Sequence, residues 1–474
     1  MRRGSSEAKA WAIEQFGGAK LGDARRVDRL VRIATGVSEN PSGKVSDVFS
    51  SARELDGAYD FLENDHVSAC RIALAMTQAT ARRCIGQEFV WVAVDGSSLN
   101  LADHAQGKGF GSVGTIDAGA RGLKVISALA VGRDGATVGL LAQTWWARQA
   151  APKRSAKEKL KSRRKRPDAD KETRYWLQAI DDARQRLDET GERGWFQLDR
   201  EADARPILLG LQASGHLFTV RSAWNRVVEG GQYLRATLEQ QIPVAAYELD
   251  VPGRATRKAR RARMVARHAP TKLRLRDRRT DKTTWLAVHA VWVREEGTTP
   301  ESEKPLDWLL FTNAQVRSVD DVHLVVEGYT RRWRIEEFHR TWKSGACNVE
   351  QTQLRSREAV VRWASVLAAV ATRVERLKYL ARNQPEQLAT VELNADEIRV
   401  LTALKRRYKK RTERIASATP TIAQVVLWIA ELGGYTGKSS GGPPGSITIA
   451  RGLERLRHAV EGVHAMAALD SGEK

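Results

Sequence analysis

The chain has 474 residues, 42% hydrophobic and 28% charged, which accommodates two or three domains of ordinary globular composition. Lys plus Arg number 78 against 57 Asp plus Glu, and the net charge of +21 points to a polyanionic partner, nucleic acid ahead of a ribosomal or anionic-membrane surface. Three cysteines exclude a disulfide framework, and no apolar run is long enough to span a membrane, so a cytoplasmic protein is expected.

Residues 1–70 carry helical periodicity, as in Trp11–Phe16 and Arg29–Ala34. Leu21-Gly-Asp-Ala-Arg-Arg26 sets a turn and a capping aspartate ahead of a basic helix bearing Arg25, Arg26, Arg29 and Arg32. The pattern changes at Phe89-Val-Trp-Val-Ala-Val94, a continuous apolar run that predicts a buried strand ending at Asp95-Gly96. Two more strands are predicted over Leu123–Val131 and Thr137–Trp146. A Lys/Arg-rich linker over 151–170 follows, expected to be a flexible loop.

The stripe Trp176, Ala179, Ile180, Ala183 and Leu187 predicts a helix over 171–190. A strand over Trp195–Leu198 runs into Asp199, followed by a helix near Asp203–Ala213 and a strand over His216–Val220. Strands followed by strand–helix alternation give an α/β fold with a mixed sheet. Residues 224–305 break that rhythm: Val244–Leu249 and Trp285–Val293 read as strands of an antiparallel β insertion, with basic stretches such as Arg254–Arg263 between them. Trp308–Phe311 closes the insertion, and one long helix is predicted from Val319 to Ser344. The remainder is mostly helical, interrupted by a Gly/Pro/Ser-rich stretch over 433–445.

Asp95 and Asp199 each end an apolar strand, where α/β folds place ligands and catalytic groups. Alone, either reads more readily as a cap or turn residue; a third carboxylate on a later helix changes the case. Mg2+ takes hard oxygen ligands, and two such ions can stabilise the attacking and leaving oxygens of a phosphodiester displacement. On a continuous helix, Tyr329, Arg332, Glu336 and Lys343 fall within about 60° of one another. Glu337 projects about 100° away. Glu336 is therefore the expected ligand, and Glu337 a surface or salt-bridging residue.

Tyr329-x2-Arg332-x3-Glu336-x6-Lys343 resembles the signature of the insertion-sequence-four family of DDE transposases. Leu21–Arg26, Gly57-Ala-Tyr59, Gly139-Leu-Leu141, Asp199-Arg-Glu-Ala-Asp203 and Gly433-Gly434 are similar to family segments in the same order. The resemblance implies a helical N-terminal DNA-binding domain (1–70) and a helical C-terminal dimerisation domain (373–474). Between them it implies an RNase H-like catalytic domain (71–372) with the β insertion at 224–305. It further implies a triad of Asp95, Asp199 and Glu336 holding two Mg2+ ions, for which Mn2+ can substitute.

The partners implied are double-stranded DNA, as transposon ends and as target, and a second copy of the chain in an end-paired complex; no membrane partner is expected. The reactions implied are strand nicking, hairpin formation and opening, and strand transfer, each an in-line phosphoryl transfer. By the same resemblance Trp308 stacks on a base flipped out of the duplex. Arg221, Tyr329, Arg332, Trp333 and Lys343 hold phosphates or brace that base, and Arg26 and Arg29 contact the transposon end. His339, beside the stripe, reads as structural or DNA-facing.

Overall fold

The computed structural model describes residues 6–470 apart from 104–106, 115–118, 150–154, 156–166, 168–169, 252–258, 278, 298, 301–302, 410–412, 414, 416–417 and 438–441. The basic 151–170 segment and the first part of the Arg254–Arg263 stretch fall outside the described residues. The helices in chain order are α1 (Ser6–Phe16), α2 (Ala24–Glu39), α3 (Val45–Val48), α4 (Ala52–Leu62), α5 (Ala69–Arg83), α6 (Thr173–Asp188), α7 (Arg205–Ala213), α8 (Leu234–Glu239), α9 (Val319–Arg331), α10 (Trp333–Lys343), α11 (Arg357–Asn383), α12 (Ala395–Tyr408), α13 (Ile422–Leu432) and α14 (Ser446–Asp470). The strands are β1 (Val90–Asn100), β2 (Gly111–Ser112), β3 (Arg121–Val131), β4 (Thr137–Trp146), β5 (Gly194–Leu198), β6 (Leu217–Arg221), β7 (Ala245–Val251), β8 (Arg260–Arg276), β9 (Thr283–Glu295) and β10 (Asp307–Thr312).

The chain forms two compact units. The first comprises Met1–Ile85, Gly96–Ala150 and Arg334–Lys474, and the second Gly86–Asp95 and Ala151–Trp333. The second unit is built on a mixed sheet in the order β1–β5–β6–β10–β9–β8–β7. β1, β5 and β6 run parallel, and every later pairing is antiparallel. The parallel strands are continuous apolar runs because both faces are covered. Val90–Val94 and all of β5 are buried, and the apolar stripe of α6 is buried at Trp176, Ala179, Ile180, Ala183 and Leu187 as its periodicity predicts.

Helix α9 opens with a capping box between Ser318 and Asp321 and lies against β5 and β6. Its approach requires glycine at 328: a Cβ there would stand 2.3 Å from the Trp91 ring and 2.9 Å from Gln197 Nε2. Trp91 in turn packs on Trp195 at 4.8 Å between ring centroids, so helix and sheet meet through aromatic surface.

Three elements differ from the sequence expectation. β1 does not end at Asp95 but continues to Asn100. The predicted helix over Val319–Ser344 is two helices, broken at Arg332. Most of β8, a 17-residue strand, was not foreseen, because its alternation is carried by Arg and Lys on one side and small or apolar residues on the other. A strand edged with cations does not read as an apolar run, yet Ala262, Met264, Leu273 and Leu275 are all buried.

In the first unit, β4 and β2 pair with β3, and Gly96–Asn100 of β1 runs beside β3. Helix α2 begins at Asp23, whose side chain accepts from the Arg25 N–H. The long helix α11 is buried along most of its length and packs on β4 and α5. Its buried Arg362 donates to the carbonyls of Val67, at 2.6 Å, and Leu62, closing the C-terminal end of α4. The last helices pack around Ile422, Val425, Ile429, Ile449 and Leu456. Gly452 lets α14 cross α13 closely, since a Cβ there would fall 1.7 Å from the Ile429 carbonyl oxygen. No described helix is long and apolar enough to cross a membrane.

Candidate active site

In the second unit β1 and β5 are in parallel register from Val90–Gly194 to Val94–Leu198. Asp95 and Asp199 are therefore the next residues on two neighbouring strands, which lie about 4.8 Å apart in a sheet. Asp95 is 8% exposed. Asp199 caps the 3-10 turn Arg200–Ala202, and its Oδ1 accepts from the Glu201 N–H at 2.8 Å. The register places both residues at the carboxyl end of adjacent parallel strands, Asp199 one residue past the end of β5.

A chain of contacts leads away from Asp95. Its Oδ2 lies 3.1 Å from Arg332 Nη1, and both side chains are largely buried. The Arg332 guanidinium sits 5.9 Å from the centre of the Tyr329 ring. Tyr329 meets Trp308 edge-on, with centroids 5.8 Å apart. Trp308 is the second residue of β10 and is half-buried rather than a core residue. Beside it, Arg221 Nη2 donates to the Asp307 carbonyl at 2.9 Å. Arg221 Nε is buried without a hydrogen-bond partner among the described residues. Trp333 ends the unit, 49% exposed.

The remaining sequence-assigned residues belong to the first unit. Glu336 is half-buried in the first turn of α10. Glu337 is ion-paired with Arg334 and with Lys378, in keeping with its reading as a salt-bridging residue. Lys343 stands 3.7 Å from Glu350, which also accepts from the Asn100 N–H. His339 is buried and within 3.3 Å of Ser127 Oγ, a structural position. Arg26 donates to the Leu21 carbonyl at 3.0 Å, and Arg29 pairs with Glu54 at 3.0 Å.

One residue whose role the sequence did not disclose is Asp203. Its side chain is fully buried and accepts from the Ala223 N–H at 2.8 Å, from Arg226 Nε at 3.0 Å and from Ser222 Oγ at 3.4 Å. It thereby fixes the turn that follows Arg221 into the β insertion. An acidic residue four positions after Asp199 was visible, but its partners lie 19 to 23 residues away and only folding brings them near.

Paired carboxylates are hard oxygen donors, so their chemistry fits a divalent cation of the Mg2+ class. Among the described residues of either unit, no group of three or more His, Cys, Asp or Glu side chains is close enough to hold a metal by itself. A mixed α/β sheet with carboxylates at its parallel strand ends, helical flanks and a strongly cationic chain defines a nucleic-acid-processing enzyme. Three family models match in succession: Transposase DNA-binding over residues 8–67, Transposase DDE domain over 108–373, and Transposase Tn5 dimerisation domain over 369–471. The chain belongs to the DDE transposases, of the Tn5 type. Its catalytic domain has an RNase H-like core, and it is a divalent-metal-dependent enzyme that cleaves DNA and transfers strands.

Proposed function

We propose that this transposase works by cut-and-paste, with Asp95, Asp199 and Glu336 as its metal-binding carboxylates. The observation that supports the reading is the parallel register of β1 and β5, whose last pair, Val94 and Leu198, immediately precedes Asp95 and Asp199. Glu336 joins them on the motif Tyr329-x2-Arg332-x3-Glu336-x6-Lys343, of which Arg332 is already bonded to Asp95. Two Mg2+ ions, or Mn2+ in their place, would supply Lewis-acid stabilisation of the attacking and leaving oxygens.

The protein's own groups position the DNA. Arg221, Arg332 and Lys343 bind phosphates, and Arg221 lies at the end of β6 opposite Leu310 of β10, two residues after Trp308. Trp308, braced edge-on by Tyr329, receives a base extruded from the terminal pair, while Trp333, four residues after Tyr329, offers an exposed indole. Arg26 and Arg29 on α2 contact the transposon end. Residues 1–70 recognise the inverted repeat, 71–372 cut and join, and 373–474 pair two copies so that both ends are processed together.

The sequence of steps is nicking, hairpin formation by the freed 3′-OH, hairpin opening by water, and attack of the 3′-OH on target DNA in the bacterial cytoplasm. The test uses end-labelled duplexes taken from the DNA flanking the gene. Asp95→Ala, Asp199→Ala and Glu336→Ala should each bind the end but release no cleaved strand. Normal cutting by Glu336→Ala together with loss in Glu337→Ala would move the third ligand to Glu337.

A further inference from the structure

The outer face of the β insertion carries a row of side chains that the cleavage chemistry does not use. Residues directly opposite one another in a sheet point to the same face. Tyr233 faces Val227 through an antiparallel bridge, Val228 faces Leu273, and β8 and β9 pair Leu273 with Leu286 and Arg274 with Trp285. The Arg274 N–H donates to the Val227 carbonyl at 2.9 Å, which places Val227 opposite Arg274. Val228, Leu273 and Leu286 thus form a buried row, each no more than 3% exposed. The next row is turned outward: Tyr233, Val227, Arg274 and Trp285.

This row is unusual in what it exposes. Tyr233 is 55% and Trp285 45% exposed, an aromatic cost that a solvent-facing strand does not ordinarily carry. Arg274 stands between them, and among the described residues no carboxylate pairs with it. The neighbouring cations Lys272 and Arg276 are engaged by Glu229 at 2.8 Å and by Asp281. Among the described residues the row therefore carries one guanidinium without a carboxylate partner, set between two exposed ring systems.

An exposed aromatic surface with an arginine set into it is the arrangement that binds unpaired nucleotides: rings stack on bases and the cation takes the phosphate. Duplex DNA offers its phosphates but keeps its base faces covered, so it would use the arginine and leave the rings idle. We propose that the Tyr233–Val227–Arg274–Trp285 row is a stacking platform for a short unpaired stretch of the DNA on which this transposase acts. The proposal requires only that the chain processes DNA, and is independent of which carboxylates cut.

The experiment measures binding of the full-length protein to a fluorescent fifteen-nucleotide oligothymidine and to a fully paired duplex of equal length. Trp285→Ala should weaken oligothymidine binding by about five- to a hundredfold, the range of one lost base stack. Tyr233→Ala should act in the same direction, Trp285→Phe should retain most of the affinity, and duplex binding should stay within about twofold. Arg274→Ala should weaken the oligothymidine complex and flatten its salt dependence by about one counterion. Oligothymidine binding is read without cleavage, so failure of the catalytic assignment would be seen separately. Unchanged oligothymidine binding in both Trp285→Ala and Tyr233→Ala would overturn the platform, as would equal losses on single strand and duplex.

Discussion

Arg332 Nη1 lies 3.1 Å from Asp95 Oδ2, with both side chains largely buried. The two are 237 residues apart in sequence, and the contact ties the helix break after α9 to the sixth residue of β1. The arginine occupies, at the carboxylate, the place of a positive charge. On the assignment proposed above, a divalent cation held by Asp95 would share that carboxylate with Arg332.

That relationship predicts how stability responds to metal. Arg332→Ala removes the guanidinium that lies 3.1 Å from a buried carboxylate, and breaking a buried pair costs on the order of 3–5 kcal/mol. Thermal melting in chelator should show that loss. Mg2+ or Mn2+ should then raise the Tm of Arg332→Ala more than that of the parent, because binding to the folded state is linked to stability and the variant has more to regain. Equal shifts in both proteins would mean that Arg332 does not share Asp95 with the metal.

Trp308 is held edge-on by Tyr329 and is only half-buried, so its removal should spare the fold. A base stacked on an aromatic ring contributes about 1–3 kcal/mol. On the proposed pathway, where hairpin formation but not nicking needs an extruded base, Trp308→Ala should accumulate nicked DNA at the expense of hairpin on a denaturing gel. Equal loss of both products would mark it as a structural residue, and a parental hairpin yield would remove it from the pathway.

Arg26 and Arg29 should separate in a salt titration of end binding. The Arg26 side chain donates to the Leu21 carbonyl and, among the described residues, forms no ion pair, so Arg26→Ala should lower the slope of log affinity against log salt by about one. Arg29 is ion-paired with Glu54, and a Cβ on Gly57 would fall 2.7 Å from its guanidinium. Arg29→Ala should lower the Tm slightly as well as weaken binding, with the pair itself contributing no more than about 1 kcal/mol. Parental salt slopes for both variants would take α2 out of the DNA interface.

His216 predicts a dependence on pH. Burial holds its imidazole below the usual histidine range, outweighing the opposing pull of Asp188. The neutral ring suits its contacts, for Nδ1 accepts from the Gly194 N–H at 3.0 Å while Nε2 lies 3.1 Å from Asp188. His268 and His289, stacked on β8 and β9, are also lowered, first by burial. A group whose folded pKa is depressed favours the fold above its unfolded pKa, about 6.5 for histidine, and that contribution is lost as pH falls below it. Tm should drop as pH falls below about 6.5, and His216→Asn should flatten part of that drop. A curve for His216→Asn parallel to the parent's would show that this ring is not among the groups responsible.

Much of the fold was determined locally and could be read directly. Val90–Val94 and Trp195–Leu198 are unbroken apolar runs because parallel strands are covered on both faces, and the stripe from Trp176 to Leu187 repeats at the helical period. Asp23 announces α2 because a cap is a local hydrogen bond. The family signature on Tyr329, Arg332, Glu336 and Lys343 was equally visible, being a matter of residue type and spacing.

What only the tertiary structure decided depends on partners distant in sequence. Periodicity carried one helix through Arg332, whereas the folded chain breaks there and sends that guanidinium to Asp95. β8 stayed hidden because its outward residues are Arg and Lys and its inward residues are small, so it becomes a strand only between β7 and β9. Asp203 could not be distinguished from a turn residue until Ala223 and Arg226 closed on it. The outward row from Tyr233 to Trp285 exists only because register, which no single segment encodes, aligns two strands and a turn on one face.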